Sequence, residues 1–260
     1  MSISALVVVH NEEKQLADCL ATLKFADEIV VVLDKCTDGS KSIAQKHNAK
    51  LVEGSWDIEG ERRNTGIQAC SGDWIFEIDA DERASSELGI EMKNAAGSGA
   101  ADYYFIPVDN YIGARLVRHG WGGSFGKPAY GGLFRRNAKI WGQERVHPSL
   151  TWNGRKGHLL QNRLIHYVDK DLSDTIRRLD RYAALRALDW QDKLNRGESV
   201  GNLATQIRRF FSRFFKCYVL RGGWREGGYG VVIAACAGLF PLLSYLKLYE
   251  KNNGAFFVCR

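Results

Sequence analysis

The 260-residue sequence predicts an α/β protein with a mostly parallel, doubly wound sheet and a helical, basic C-terminal extension. Short apolar runs alternate with amphipathic segments four times in the first 83 residues, which is typical of a parallel sheet. The apolar run Trp74–Ile78 leads directly into Asp79 and Asp81, so one strand ends in Asp-x-Asp. The net charge is −8 over residues 1–100 and +14 over the remaining 160, which predicts different partners for the two parts.

The expected elements follow from hydrophobic periodicity. Strands are expected at Ile3–Val9, Glu28–Leu33, Lys50–Val52, Trp74–Ile78 and Tyr103–Val108. Helices are expected from Asn11 onward, from the turn after Asp34 through His47, over Ile58–Cys70 and over residues 172–195. Residues 110–160 are rich in Gly, Trp and Arg without clean periodicity and are expected to form ordered loops.

Composition places the chain among ordinary globular proteins, with 45% hydrophobic and 25% charged residues. Its six cysteines form no Cys-x-x-Cys pair, so neither a zinc knuckle nor a redox motif is expected. The N-terminus has no basic n-region and no cleavage site, and its first apolar run is interpreted as a strand. A reducing, cytosolic location with unpaired thiols is expected.

Polar side chains follow three of the predicted strands. His10, Asn11 and Glu12 follow the first strand, Asp34 follows the second, and Asp79 and Asp81 follow the fourth. The carboxyl ends of parallel strands meet at the edge of the sheet where ligands bind. Carboxylates suit Mg²⁺ or Mn²⁺, whose coordination is commonly completed by substrate phosphates. The pattern predicts a metal–diphosphate site, although Asn11 is also suited to capping its own helix.

Four motifs resemble glycosyltransferase family 2, the inverting nucleotide-sugar transferases with the Rossmann-like GT-A fold. They are Val7-Val-Val-His-Asn-Glu-Glu13, Val31-Val-Leu-Asp-Lys-Cys-Thr-Asp-Gly-Ser40, Arg62-Arg-Asn-Thr-Gly-Ile67 and Asp79-Ala-Asp-Glu82. More weakly, Arg118-His-Gly-Trp121, Arg145-Val-His147 and Leu164-Ile-His-Tyr167 are similar to the subgroup of lipopolysaccharide core β-1,4-glucosyltransferases. The resemblance implies a nucleotide-sugar donor, most simply a UDP-hexose, and a lipopolysaccharide core or lipid-linked acceptor.

The resemblance also implies roles for individual residues. Asp34 would hydrogen-bond the nucleotide base, and Asn11 and Glu12 would line the same pocket. Arg63 would contact the base or the diphosphate, with a solvated helix position as the alternative. Asp79 would contact ribose or metal, and Asp81 would ligate the metal. The implied domains are a nucleotide-sugar-binding half (1–100), an acceptor-binding half (101–170) and a helical, membrane-associating extension (171–260).

Inverting transfer needs a general base that takes a proton from the acceptor hydroxyl. The subgroup often has Glu directly after Val-His, but this chain has Pro148 after Val146 and His147. His147 and Glu144 are the expected candidates for the base, and His166 is a third.

The basic C-terminal part interleaves arginines with aromatic residues over 208–221, and twenty uncharged residues follow over Gly227–Leu246. This composition predicts peripheral attachment to an anionic membrane surface. The resemblance implies that this surface is the inner face of the bacterial cytoplasmic membrane. A membrane span and a buried core helix are the alternatives for 227–246. No motif that reads RNA or DNA accompanies the stretch, so nucleic acid is not an expected partner.

Two other functions are alternatives to a sugar transferase. A sugar-phosphate nucleotidyltransferase also uses paired aspartates on a Rossmann-like sheet, but it would have a Gly-rich phosphate loop where this chain has His10-Asn-Glu-Glu13. A membrane-associated adaptor with a decayed site would not need the intact set Asp34, Asp79 and Asp81. The sequence therefore favours a transferase.

Overall fold

The structure is a computed structural model that describes residues 1–122, 126–145 and 148–253. The chain divides into two compact units. Unit 1 comprises Met1–Asp109, Ala129–Glu144 and Pro148–Tyr167, and unit 2 comprises Asn110–Pro128, Arg145–His147 and Val168–Arg260.

The strands in chain order are β1 Ile3–Val9, β2 Glu28–Asp34, β3 Lys50–Gly54, β4 Trp74–Asp79, β5 Glu82–Arg83, β6 Tyr103–Ile112, β7 Arg115–Val117, β8 Ala129–Arg135, β9 Lys139–Trp141, β10 Leu150–Trp152, β11 Lys156–Leu159 and β12 Leu164–Asp169. The α-helices are α1 Leu16–Ala21, α2 Ser40–Lys46, α3 Glu59–Ala69, α4 Ser86–Gly97, α5 Leu172–Asn195, α6 Leu203–Phe215 and α7 Gly228–Asn253. A π-helical turn, Lys216–Leu220, and a 3-10 turn, Gly223–Glu226, connect α6 to α7.

The main sheet has the strand order β3-β2-β1-β4-β8-β6-β12-β5. Strands β3, β2, β1 and β4 are mutually parallel, and β8 runs antiparallel to both β4 and β6. Leu16 of α1, Ala44 of α2 and Leu88 of α4 pack in the core on one face of the sheet. Ile67 of α3 packs with Leu6 and Val32 on the other face. Helices therefore cover both faces, and the predicted mostly parallel, doubly wound α/β fold is confirmed.

The prediction of a helix from Asn11 is wrong, because α1 begins at Leu16 with Gln15 as its N-cap. Asn11 has a left-handed backbone with φ +59°. Its side chain accepts a hydrogen bond from the backbone N–H of Thr37 (2.8 Å) and does not cap α1. Asn11 thus joins the loop after β1 to the loop after β2.

The prediction of loops over 110–160 is also wrong, because five strands, β7 to β11, lie in this region. Their alternation is hidden by glycines that give room to aromatic rings. A Cβ atom at Gly131 would lie 2.3 Å from the Trp152 ring, and one at Gly157 would lie 2.2 Å from the Tyr104 ring. A strand that lacks side chains at such positions shows no period-2 pattern of hydrophobicity.

Unit 2 contains a helical core built around α7. The apolar residues Ile233, Ala237 and Phe240 of α7 are buried with Leu179 and Ala183 of α5. By length and composition α7 also qualifies as a membrane span over Gly228–Glu250, although 56% of its most apolar window is buried inside the protein. Core helices of soluble proteins meet the same criterion.

The approach of α3 to the sheet gives a test of the packing in unit 1. A Cβ atom at Gly66 would lie 2.6 Å from Leu6 Cδ1 and 2.8 Å from Val32 Cγ2. Gly66→Ala should lower the free energy of unfolding by about 1–3 kcal/mol, because it overpacks this contact. Urea denaturation followed by circular dichroism measures the change.

The matched control is Gly97→Ala at the end of α4, where an added Cβ atom meets nothing within 4 Å. That variant should be unchanged or more stable by up to about 1 kcal/mol, because alanine reduces the freedom of the unfolded chain. Equal effects of the two substitutions would contradict the tight packing at Gly66.

Candidate active site

The site residues predicted at the ends of β1, β2 and β4 lie at one edge of the sheet in unit 1. In the parallel register Val8 of β1 is opposite Asp79, and Val9 is opposite Leu33, so β1, β2 and β4 end together. His10 Nδ1 lies 2.6 Å from the backbone oxygen of Asp34 and joins the first two strand ends. The expected convergence of the three strand ends is therefore present.

Hydrogen bonds between the loops after β1 and β2 fix Asn11 and Glu12 at this edge. The backbone N–H of Glu12 donates to Ser40 Oγ (3.0 Å). Glu13 Oε2 accepts from the backbone N–H of Gly39 (2.8 Å), in addition to the bond from Thr37 to Asn11. These bonds hold the residues in a fixed position beside the end of β2.

Asp34 is 5% exposed, and both of its carboxylate oxygens are engaged. Oδ1 accepts from the backbone N–H of Trp56 (3.0 Å), and Oδ2 accepts from Arg62 Nη1 (3.0 Å). Arg62 Nε is buried and has no hydrogen-bond partner among the residues that the structure describes. Sequence reasoning missed Arg62, which lies directly beside the chosen Arg63.

Arg63 makes three bonds to carboxylates. Nε donates to Glu59 (3.0 Å), Nη1 to Glu77 (2.7 Å) and Nη2 to Asp79 (3.0 Å). The guanidinium also lies 4.8 Å from the centroid of the Trp141 ring. Burial disfavours the charge, but Asp79, Glu59 and Glu77 outweigh it and raise the pKa of Arg63 well above its ordinary value. Arg63 therefore fixes one oxygen of Asp79.

Glu77 is the buried centre of this network. Its Oε1 accepts from Arg63, and its Oε2 accepts from Lys139 Nζ (2.6 Å) and Trp141 Nε1 (3.3 Å). The side chains of Glu77 and Lys139 are only 2% and 1% exposed. Burial opposes the ionisation of Glu77, but Lys139 and Arg63 hold its pKa below the ordinary value. Neither Glu77 nor Lys139 was singled out from the sequence.

The turn from Asp79 to Arg83 is held from both sides. Glu82 is fully buried, and its Oε2 accepts from the backbone N–H of Asp79 (3.0 Å). Arg83 Nη1 donates to the backbone oxygens of Ala80 and Glu82, each at 2.8 Å. The backbone oxygen of Asp81 accepts from the backbone N–H of Tyr167 in β12 (2.9 Å). The two aspartates are therefore presented by a rigid turn.

Asp81 lies beside His166. Nε2 of His166 is 3.4 Å from Asp81 Oδ2. Asp81 Oδ1 is buried and receives no hydrogen bond from any residue in the described part of the chain. A buried carboxylate oxygen without a donor fits a cation, and carboxylate and imidazole are both metal-binding groups. Within residues 1–122, 126–145 and 148–253, no group of three or more His, Cys, Asp and Glu is placed to hold a metal ion. Any ion here would take further ligands from substrate or water.

Glu144 and His147, the two favoured candidates for the general base, lie in the sequence between β9 and β10. Glu144 Oε2 accepts from the backbone N–H of Ser149 (2.9 Å) and from its hydroxyl (3.2 Å). His147 lies outside the described residues. Arg145, which lies between Glu144 and His147 in the sequence, belongs to unit 2 and bonds Asp189 (3.3 Å) and Asp192 of α5.

The chain has an α/β fold with Asp-x-Asp at the carboxyl end of β4, the edge at which such sheets bind ligands. The family model for Glycosyl transferase family 2 matches residues 4–184, which is more than half of the chain. The chain therefore belongs to glycosyl transferase family 2, and the family and enzyme class predicted from the sequence are confirmed.

Among similar proteins, the lipopolysaccharide core biosynthesis glycosyltransferase LpsC of Rhizobium meliloti is 23% identical, covering 97% of this chain and 93% of the relative. An uncharacterized glycosyltransferase of Rickettsia conorii is 24% identical, covering 96% and 90%. Residues 1–349 of Staphylococcus aureus TarS superpose with a TM-score of 0.48 at 14% identity, covering 99% and 93%. Glucosyl-3-phosphoglycerate synthase of Mycobacterium tuberculosis, solved with Mn²⁺ and UDP-glucose, gives 0.36 at 19%, covering 42% and 43%. Structural likenesses at this level establish nothing about function.

The buried Glu77–Lys139 pair generates a stability prediction. Lys139→Met should lower the free energy of unfolding at pH 7 by about 3 kcal/mol, because it leaves a buried carboxylate with one cation fewer. Lys41→Met is the control, since Lys41 forms an ion pair with Glu53 at the surface and should cost less than about 1 kcal/mol. Urea denaturation measures both. Equal losses of unfolding free energy in the two variants would show that the buried ion pair of Lys139 contributes no more to stability than the surface pair of Lys41.

The same pair makes the effect of Lys139→Met depend on pH. A carboxyl whose folded pKa is depressed stabilises the protein above its unfolded pKa and loses that contribution as the pH falls through the folded pKa. Removing Lys139 reduces the depression of the Glu77 pKa. The difference in stability between wild type and variant should therefore be largest at pH 7 and should narrow as the pH falls below the ordinary carboxyl range. A constant difference from pH 7 to the acid limit of folding would contradict an ionised Glu77.

Proposed function

We propose that the protein transfers a hexose, with inversion, from a nucleoside diphosphate sugar such as a UDP-hexose to a lipopolysaccharide core or lipid-linked acceptor. The observation that carries the proposal is the edge at which Asp34, Asp79 and Asp81 meet, with one buried oxygen of Asp81 lacking a hydrogen-bond donor. The acceptor class is supported by the named role of LpsC in lipopolysaccharide core biosynthesis.

The donor-binding roles follow the geometry of unit 1. Asp34, together with Arg62, would recognise the nucleotide base, and Asn11 and Glu12 would line that pocket. Arg63 would act on the donor mainly through Asp79, since its guanidinium already bonds three carboxylates. Asp79 would contact ribose or the metal. A short, charge-assisted network of this kind holds a side chain in one orientation before the donor binds.

The cofactor in this proposal is Mg²⁺ or Mn²⁺. Asp81 would hold it, with Asp79 and His166 beside it. A divalent cation bound there would neutralise the diphosphate leaving group, which is the chemistry that such ions supply in phosphate chemistry. The residues of the chain orient the donor, and a base takes the proton from the acceptor hydroxyl.

In the proposed organisation residues 1–100 bind the donor, 101–170 bind the acceptor and 171–260 associate with the membrane. The proposed location is the cytoplasmic side of the bacterial inner membrane, where a lipid-linked acceptor and anionic lipids occur together. Membership of a glycosyltransferase family argues against a nucleotidyltransferase and against a non-catalytic adaptor. A panel of nucleotide sugars assayed with extracted core oligosaccharide tests donor and acceptor. Release of pyrophosphate from UTP, without release of UDP from any UDP-sugar, would overturn the proposal.

Asp81→Asn tests the metal and donor site. The substitution keeps the size of the side chain but removes its charge, so transfer should fall at least about 100-fold. The rise in melting temperature caused by UDP with Mn²⁺ should also disappear, which is a readout independent of turnover. Asp180→Asn is the control, because Asp180 of α5 is exposed and pairs with Lys247 of α7. An Asp81→Asn variant that keeps the Mn²⁺-dependent shift would exclude Asp81 as a metal ligand.

The general base is tested by Glu144→Gln and His147→Gln. The variant that removes the base should lose roughly 100-fold or more in kcat with donor affinity unchanged, and its rate should no longer fall on the acidic side of the pH profile. His166→Gln separates a role in metal binding from a role as base, because only the former changes the Mn²⁺ concentration that half-saturates the enzyme. If neither Glu144→Gln nor His147→Gln loses more than tenfold, the assignment of the base is wrong.

A further inference from the structure

The outer face of α6 is apolar and exposed. Ile207, Phe211 and Phe215 are spaced by four residues, so they lie in one line along the helix. Phe211 is 65% exposed and Phe215 is 54% exposed. Leu220 and Trp224, in the two turns that follow the helix, are 69% and 56% exposed. We call these five residues the outer face. Large apolar side chains exposed together mark an interaction surface.

The side chains of the outer face are mostly exposed, although the Phe211 ring meets the Phe210 ring edge-on at a centroid distance of 5.1 Å. The adjoining side of α6 supplies Phe210 and Phe214, and the ring of Phe214 stacks on Tyr218 at a centroid distance of 5.7 Å. Phe214 and Tyr218 pack against the core around Ile233 and Phe240. The helix thus has one apolar side for its own unit and a second apolar side exposed to solvent.

Cations flank the outer face. Arg208, Lys216, Arg221 and Arg225 are all exposed, and the sequence has no Asp or Glu between Glu198 and Glu226. The Arg225 guanidinium lies 5.2 Å from the centroid of the Trp224 ring, so charge and aromatic surface adjoin directly. Apolar residues bordered by lysine and arginine are the composition of a helix that lies in the interface of an anionic bilayer. A protein partner would have to match this charge with an acidic rim.

Helix α7 is already enclosed within unit 2. A Cβ atom at Gly238 would lie 2.8 Å from the backbone oxygen of Phe210, so α6 and α7 touch at backbone distance. A Cβ atom at Gly230 would lie 1.8 Å from the backbone oxygen of Gly223. On its other side, Lys247 forms an ion pair with Asp180 of α5 (2.7 Å). Crossing a bilayer with α7 would break these contacts.

We infer that the outer face of α6 and of the turns after it inserts into the interfacial layer of an anionic lipid bilayer, while α7 stays inside unit 2 and does not span the membrane. The flanking arginines and lysine contact lipid phosphates, and the aromatic rings reach the boundary of the acyl chains. The inference rests on the membrane association in the proposed function and identifies the surface of the protein that contacts the lipid. Binding to vesicles needs no sugar transfer, so either proposal can fail without the other.

The first test is co-sedimentation of the full-length protein with vesicles of phosphatidylglycerol and phosphatidylcholine. Wild type should bind these vesicles, should bind phosphatidylcholine alone at least tenfold more weakly, and should be released by 1 M salt. Phe211→Ser with Phe215→Ser should lower the partition coefficient at least tenfold. The control pair is Ile90→Ser with Ile176→Ser, two exposed isoleucines on α4 and α5, and it should bind like wild type.

The contribution of charge is tested by Arg208→Gln with Lys216→Gln and Arg221→Gln. Their control is Lys24→Gln with Lys46→Gln and Lys93→Gln, which removes the same charge from exposed positions of unit 1. The first triple variant should lose at least tenfold in binding, and the second should lose less than threefold. Equal losses would mean that net charge alone drives binding, and the inference would be wrong.

Fluorescence quenching of Trp224 tests the inference in the wild-type protein itself, where no substitution can disturb folding. Brominated lipids should quench part of the tryptophan fluorescence of wild type, and that part should be absent in Trp224→Phe, which still binds. Unchanged quenching would place Trp224 outside the bilayer and overturn the inference. Protein that stays in the membrane pellet after alkaline carbonate extraction would also overturn the inference, because such resistance indicates a membrane span. Concentration-dependent dimerisation that Phe211→Ser abolishes would show instead that a second copy covers the outer face.

Discussion

The geometry of the candidate active site depends on the buried carboxylate of Glu77. Alternation along β4 places Ile75, Glu77 and Asp79 on the face of the sheet that α3 covers. One oxygen of Glu77 binds Arg63 and the other binds Lys139. A carboxylate with so little exposure is tolerated because two cations and the Trp141 indole satisfy it. Through Arg63, the same carboxylate determines where Asp79 points.

The elements predicted well from the sequence are those whose signals are local. The expected helix over 172–195 is observed as Leu172–Asn195, and the helix expected over Ile58–Cys70 is observed as Glu59–Ala69 with those two residues as caps. Strands β1, β2 and β4 are short apolar runs between polar turns, a pattern that is consistent with buried strands. Parallel topology then suffices to predict that Asn11, Asp34 and Asp79 approach one another, without any knowledge of their contacts.

The contacts that orient these residues could not be predicted, because they join distant parts of the chain. Lys139 is 62 residues from Glu77 and lies in the region where glycines and aromatic rings hide the strand pattern. Arg62 and Arg63 are neighbours, but successive residues of a helix point about 100° apart. Arg62 therefore meets Asp34, whereas Arg63 meets Glu77 and Asp79. Periodicity alone does not say which arginine faces which strand.

The charge balance at the sheet edge explains how an acidic part of the chain can accept a polyanionic donor. Residues 1–100 carry a net charge of −8, and a cluster of bare carboxylates would repel a diphosphate. Arg62 pairs with Asp34, and Lys139 pairs with Glu77. Arg63 is shared by Glu59, Glu77 and Asp79, so the repulsion is reduced but not removed. Asp81 differs from these residues, because its buried Oδ1 has no donor among the described residues and its neighbour is a histidine, whose charge depends on protonation. Asp34 and Asp79 are each paired with an arginine, whereas Asp81 is paired with a histidine, so in the proposed function Asp81 is the position for the divalent cation.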